Sequence, residues 1–189
     1  MTKSQLNLDG LVFDIDDSGP RDGPPVLLLH GFPHDSASWD GVVPLLNDAG
    51  LRTITVDQRG YSPGARPPAV DDYSMDKLVA DAIGVLDALG IERCLLVGHD
   101  WGGPVAFAVA ARHPDAVQTL SILDVVIPGD GADFSQGGRS WHHAFFRTLD
   151  LPEQLRVRRL GVHQVGICLG DSGLREFAVN LCRADIFGL

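Results

Sequence analysis

Asp100 stands between Gly98 and Gly102, where the apolar run Cys94–Gly98 gives way within a few residues to a helical pattern over Gly102–Arg112. Small residues two positions before and two after a central side chain are what a strained strand-to-helix turn requires. Anything larger would strike the neighbouring strand and helix. Such a turn presents its central side chain for reaction. A carboxylate there, with a reference pKa of about 3.9, is ionised at neutral pH and needs no base to become a nucleophile. The same residues also fit a plain βα turn whose Asp caps the next helix. Upstream, Val26–Leu29 runs into His30-Gly31-Phe32-Pro33, which fits either an ordinary loop or an anion-binding one. In the second role the backbone N–H of Phe32 joins that of Trp101 to bind a developing oxyanion. The two motifs in this order favour the reactive reading of both.

Both loops must hang from something rigid. Short apolar runs at Leu11–Ile15, Val26–His30, Thr53–Asp57, Cys94–Gly98 and Thr119–Asp124 read as strands. Between them, Ser38–Ala49, Met75–Leu89 and Gly102–Arg112 read as helices. In the second, Leu78, Val79, Ala82, Ile83, Leu86 and Leu89 recur every three or four residues and make one buried stripe, and Gly90 stops it. Pro104 falls in the first turn of the third helix, which ends before Pro114. Strands apolar along their length and separated by crossover helices belong to a mostly parallel sheet flanked by helices, so the class is α/β.

The 189 residues suit one core. Fifteen basic against 25 acidic side chains leave a formal charge of −10, a field that disfavours nucleic acid and anionic membrane as partners. The start, MTKSQLNLDGLVFD, holds no signal-peptide core, and the longest apolar stretch, Val105–Ala111, falls far short of the ~20 residues of a membrane span. Cys94, Cys168 and Cys182 show neither a disulfide framework nor metal-ligand spacing. A cytoplasmic protein with no metal and no cofactor is expected.

The quoted motifs, with HGFPHDSASWD at 30–40, DQRGYSPGARP at 57–67, GHDWGGPVAF at 98–107, and WHHAFF and LPEQL around 141–155, resemble the α/β-hydrolase fold superfamily. Within it they are similar to the branch of epoxide hydrolases and haloalkane dehalogenases, over about the first 155 residues. The resemblance implies that Asp100 attacks the carbon of a small apolar electrophile to give an alkyl-enzyme ester, which water activated by a His then hydrolyses. It implies Phe32 and Trp101 as the oxyanion hole, and His30, Trp141 and His142 around the substrate pocket. Asp124 resembles the acid that orients the catalytic His in some haloalkane dehalogenases, and a plain strand-end Asp fits as well. In Asp57-Gln58-Arg59-Gly60 the expected role is structural, with Arg59 tying loops together beneath the site.

On this reading residues 1–127 form the first part of the hydrolase core, 128–155 begin a cap, and 156–189 are an unassigned tail. Up to Gln154 there are 10 basic and 22 acidic residues, and after it 5 and 3, a shift that coincides with loss of the family pattern. A truncated or frame-shifted product, lacking the last strands of the fold, is therefore expected. No His stands in the family's context, His163 lies in the tail, and no cap tyrosine follows the strand-to-helix turn at Asp100, the elbow. Turnover is accordingly in question, and a haloalkane dehalogenase-like hydrolase or a non-catalytic binding remnant are the alternatives. The strand Thr119–Asp124 should be an open edge that promotes self-association.

Overall fold

The computed structural model describes residues 3–124 and the strand Gly166–Leu169. These form one seven-stranded sheet: β1 (Ser4–Leu8), β2 (Leu11–Ser18), β3 (Pro25–Leu29), β4 (Arg52–Val56), β5 (Cys94–His99), β6 (Val117–Leu123) and β7 (Gly166–Leu169), in the order β1-β2-β4-β3-β5-β6-β7. The central block β4-β3-β5-β6 is parallel, while β1, β2 and β7 join antiparallel. Three helices, α1 (Val43–Asp48), α2 (Met75–Ala88) and α3 (Gly102–Arg112), supply the crossovers β3-α1-β4, β4-α2-β5 and β5-α3-β6.

Residue types account for the centre of the sheet. Leu27, Leu28 and Leu29 are all essentially inaccessible, and each such side chain contributes about 1.5–3 kcal/mol of burial. The period of two divides them between faces. Val26 and Leu28 of β3, with Leu95 and Val97 of β5, pack against Trp39, Val42, Val43 and Leu46 around α1. Leu29 faces the other way, toward Leu78, Ala82 and Val85 of α2.

Three elements differ from expectation. The strand β1 was missed: its burial alternates between exposed and half-buried, so its apolar signal is only Leu6 and Leu8. The stretch 38–49 is not one helix. A 3₁₀ turn at Ser36–Trp39, capped by the Asp35 side chain on Ala37 N–H, comes first. The helix then restarts at Val43, because Pro44 lacks an N–H and is tolerated only in a first turn. The third difference corrects the open edge at β6: Gly166–Leu169 pairs antiparallel along Leu120–Leu123, so the tail supplies a strand where none was expected.

Candidate functional site

At the C-terminal end of β5 the chain turns at Asp100, which has φ +49°. Left-handed backbone costs a residue with a Cβ on the order of 1–2 kcal/mol, so something must hold the turn. Asp100 N–H donates to Leu123 O at 3.0 Å, and Gly103 N–H donates to Asp100 O at 2.9 Å as α3 begins. The flanking glycines are steric necessities. A Cβ on Gly98 would overlap the Gly102 carbonyl and press on Ala106, and one on Gly102 would overlap the carbonyls of Leu29 and His30. A Cβ on Gly31 would strike the Asp100 side chain itself. The elbow is thus wedged between β3 and α3, with three glycines in the contact.

The carboxylate meets the loop after β3, and Phe32 N–H donates to Asp100 Oδ1 at 2.8 Å. Of the expected oxyanion pair, the structure thus brings Phe32 N–H onto the carboxylate, and Trp101 is the next residue in the chain. Phe32 and Trp101 are 42% and 52% exposed, so the residue that donates to the carboxylate and the residue that follows it both present aromatic surface to solvent. Tyr61 is close enough for the Asp100 charge to act on it: burial first, and that charge second, push its phenol pKa up.

His30, expected at the substrate pocket, is fully buried beneath this loop. Its Nε2 accepts from Gln58 N–H at 3.1 Å, which leaves Nδ1 as the protonated nitrogen facing Gly31 O at 3.1 Å. Burial pushes its pKa down, favouring the neutral ring. Gln58 Nε2 donates to His30 O at 2.6 Å, and the Tyr61 ring meets the imidazole edge-on at 4.6 Å. With both nitrogens engaged, His30 braces the Phe32 loop.

The loop after β4 sends successive side chains in different directions. Asp57 accepts from Ser36 N–H at 2.9 Å and from Lys3 Nζ at 2.6 Å. Burial pushes its carboxyl up, and the bonds from Lys3 and Ser36 outweigh this and hold it below the usual range. Arg59 grips Asp81 of α2 through two bonds of 2.7 and 2.6 Å, so its role is structural but it ties this loop to a helix and not to another loop. The Asp81 bond raises the guanidinium pKa further.

Asp124 follows β6 with φ +58°. Its Oδ2 lies 3.8 Å from His99 Nε2, so its histidine neighbour among the described residues is the residue just before Asp100. Sequence reasoning passed over His99, although its place one residue before Asp100 was a signal. Trp141, His142 and His163 lie outside the described residues. Among the described residues no group of three or more His, Cys, Asp or Glu side chains is placed to hold a metal ion, and no helix is long and apolar enough to cross a membrane.

A sequence profile of the family described as alpha/beta hydrolase fold matches residues 24–160. Epoxide hydrolase B of Mycobacterium tuberculosis is 35% identical over 182 residues, covering 83% of this chain and 51% of that protein. The AB hydrolase superfamily protein YfhM of Bacillus subtilis is 34% identical over 153 residues, covering 78% and 54%. Among solved structures, an epoxide hydrolase from an endophytic Streptomyces superposes with a TM-score of 0.69 at 33% identity, covering 81% of this chain and 48% of that one. Epoxide Hydrolase A from Mycobacterium thermoresistibile gives 0.64 at 30%, covering 76% and 44%. The chain spans about half the length of the curated relatives it matches.

Proposed function

We propose, from the premise that this chain belongs to the α/β hydrolase fold family, that Asp100 is the nucleophile of a two-step hydrolysis of a small apolar epoxide. Asp100 Oδ2 attacks a ring carbon, a C–O bond forms as the ring C–O bond breaks, and the released alkoxide takes up a proton. Water then adds to the ester carbonyl carbon, and collapse of the tetrahedral intermediate returns the carboxylate and releases a diol. One observation carries this reading: the left-handed elbow delivers Asp100 with Oδ1 already on Phe32 N–H. That oxygen becomes the ester carbonyl, so the donor is in place for the oxyanion of the second step, with Trp101 N–H as the proposed second donor.

The exposed Phe32 and Trp101 surfaces suit an apolar substrate. His30, engaged at both nitrogens, braces the loop and is not the base in this proposal, and His163 is the candidate within this chain for activating water. In the same proposal residues 1–127 are core, 128–155 begin the cap region, to which Trp141 and His142 belong, and the setting is cytoplasmic, where the buried thiol of Cys94, raised to about 12, stays inert.

Labelling tests the nucleophile. Phenacyl bromide and a reactive epoxide are incubated with wild type and with Asp100→Asn, and peptides are mapped by mass spectrometry. An adduct on the Asp100 peptide of wild type alone is expected. Equal labelling in both proteins, or labelling elsewhere only, rejects Asp100. Labelling by the halide without the epoxide would favour the dehalogenase-like alternative, because a halide leaves without needing a proton.

A further inference from the structure

We infer that His99 is a positioning residue for Asp100, holding the elbow against the end of β6 through Asp124; this rests on the reading of Asp100 as nucleophile. The pairing of β5 with β6 sets His99 opposite Leu123, so Asp100 and Asp124 leave two parallel neighbouring strands side by side. Both do so in the left-handed region, at φ +49° and +58°. Among the described residues the other non-glycine residue with positive φ is Asp9, in the turn between β1 and β2. Two strained turns at adjacent strand ends must be over-determined by their surroundings to persist.

Two ties bind them. The backbone tie is Asp100 N–H on Leu123 O at 3.0 Å. Beside it, His99 Nε2 lies 3.8 Å from Asp124 Oδ2, an electrostatic contact beyond direct hydrogen-bond distance, with both side chains largely buried. On its other side the imidazole meets the Trp39 indole edge-on, ring centroids 6.4 Å apart. Trp39 is itself fixed in the core cluster with Val97 and Leu123. The imidazole therefore has a fixed wall and a carboxylate, and it lies on the α1 side of β5, where alternation along the strand places Leu95 and Val97. What it controls is the rotation of the peptide that carries Asp100, and with it the aim of Oδ2.

The test separates positioning from packing. The rate of Asp100 alkylation by phenacyl bromide is measured against halide concentration to give kinact and KI. In this step the carboxylate oxygen bonds to the CH₂ carbon and bromide departs. His99→Leu and Asp124→Ala should each lower kinact about tenfold or more, as misaimed groups do, with KI within about twofold of wild type. The double variant should be no slower than either single one, because both remove the same tie. His99→Gln, which keeps an N–H donor, should recover the rate to within about threefold. Wild-type kinact in folded His99→Leu, losses that multiply in the double variant, or losses confined to KI would overturn the proposal. Should His99→Leu fail to fold, Asp124→Ala and His99→Gln carry the same comparison. Asp100→Asn labelled like wild type would instead sink the nucleophile reading itself, a distinct result.

Discussion

Replacing Gly102 by alanine sets two effects of opposite sign against each other at one atom. Gly102 opens α3, and alanine is the better helix former by about 1 kcal/mol in a helix interior, less in a first turn. Against this, the added Cβ would overlap the backbone carbonyls of Leu29 and His30. Overpacking of this kind costs typically about 1–3 kcal/mol. The upper part of that range applies, because the obstructing atoms are backbone and β3 is held between β4 and β5. A net loss of about 2 kcal/mol follows, which for a chain of this size lowers Tm by about 4–8 °C. Gly84→Ala is the contrast. It lies inside α2, and its Cβ would meet the Leu8 side-chain tip 3.3 Å away, which can yield. That variant should be neutral or gain up to about 1 kcal/mol. Thermal unfolding followed by circular dichroism, with phenacyl bromide labelling of Asp100 in parallel, reads both. Gly102→Ala as stable as wild type and labelled at the same rate would refute the claim that the elbow is wedged between β3 and α3.

Three further outcomes are expected. Asp17 is held below its usual pKa first by its hydrogen bonds with Arg52 and then by Arg21, so its contribution to stability is full above its unfolded value of about 3.9 and is lost as pH falls through the lower folded value. Asp17→Asn should flatten that acid limb of a urea-midpoint profile, and an unchanged limb counts against the assignment. His30, pushed down by burial, is the opposite type of group: the unfolded chain takes up a proton near pH 6.5 while the fold resists, so stability falls from there until the lower folded value is reached. A profile flat between pH 7 and 5 would show that the ring is not held neutral. The Asp100 ester should outlast its formation, since a positioned base contributes about 10²–10⁴-fold to such steps; intact-mass decay as fast as labelling would mean that a working base is present.

Much of this architecture was legible because it rests on local rules. Continuous apolar runs located β3, β4 and β5, and the 3.6-residue period with Gly90 bounded α2 within a residue. The elbow was legible for the same reason: Gly98 is demanded by the Gly102 carbonyl four residues on in the same turn, and Gly102 by the carbonyls of Leu29 and His30 at the end of the adjacent strand. The first hairpin was not read from the sequence, although the Asp9-Gly10 pair, both left-handed, between alternating residues is a signal for it. The strand at 166–169 was not legible, since four residues in a mixed segment become a strand only through pairing with β6.

The side-chain ties around the site form a different category. Lys3 with Asp57, Gln58 with His30, and His99 with Asp124 join residues separated by 54, 28 and 25 positions. No period or motif announces such pairs; they exist because the sheet order sets β3 between β4 and β5 and lays β6 beside β5. A carboxylate at the end of a strand is therefore ambiguous in sequence. Asp57 meets Lys3 and Ser36 N–H, Asp100 accepts from Phe32 N–H and carries the proposed nucleophilic role, and Asp124 lies beside His99. The same residue type at the C-terminal ends of β4, β5 and β6 thus meets three different sets of partners. What separates them is which donors the neighbouring strand brings within reach.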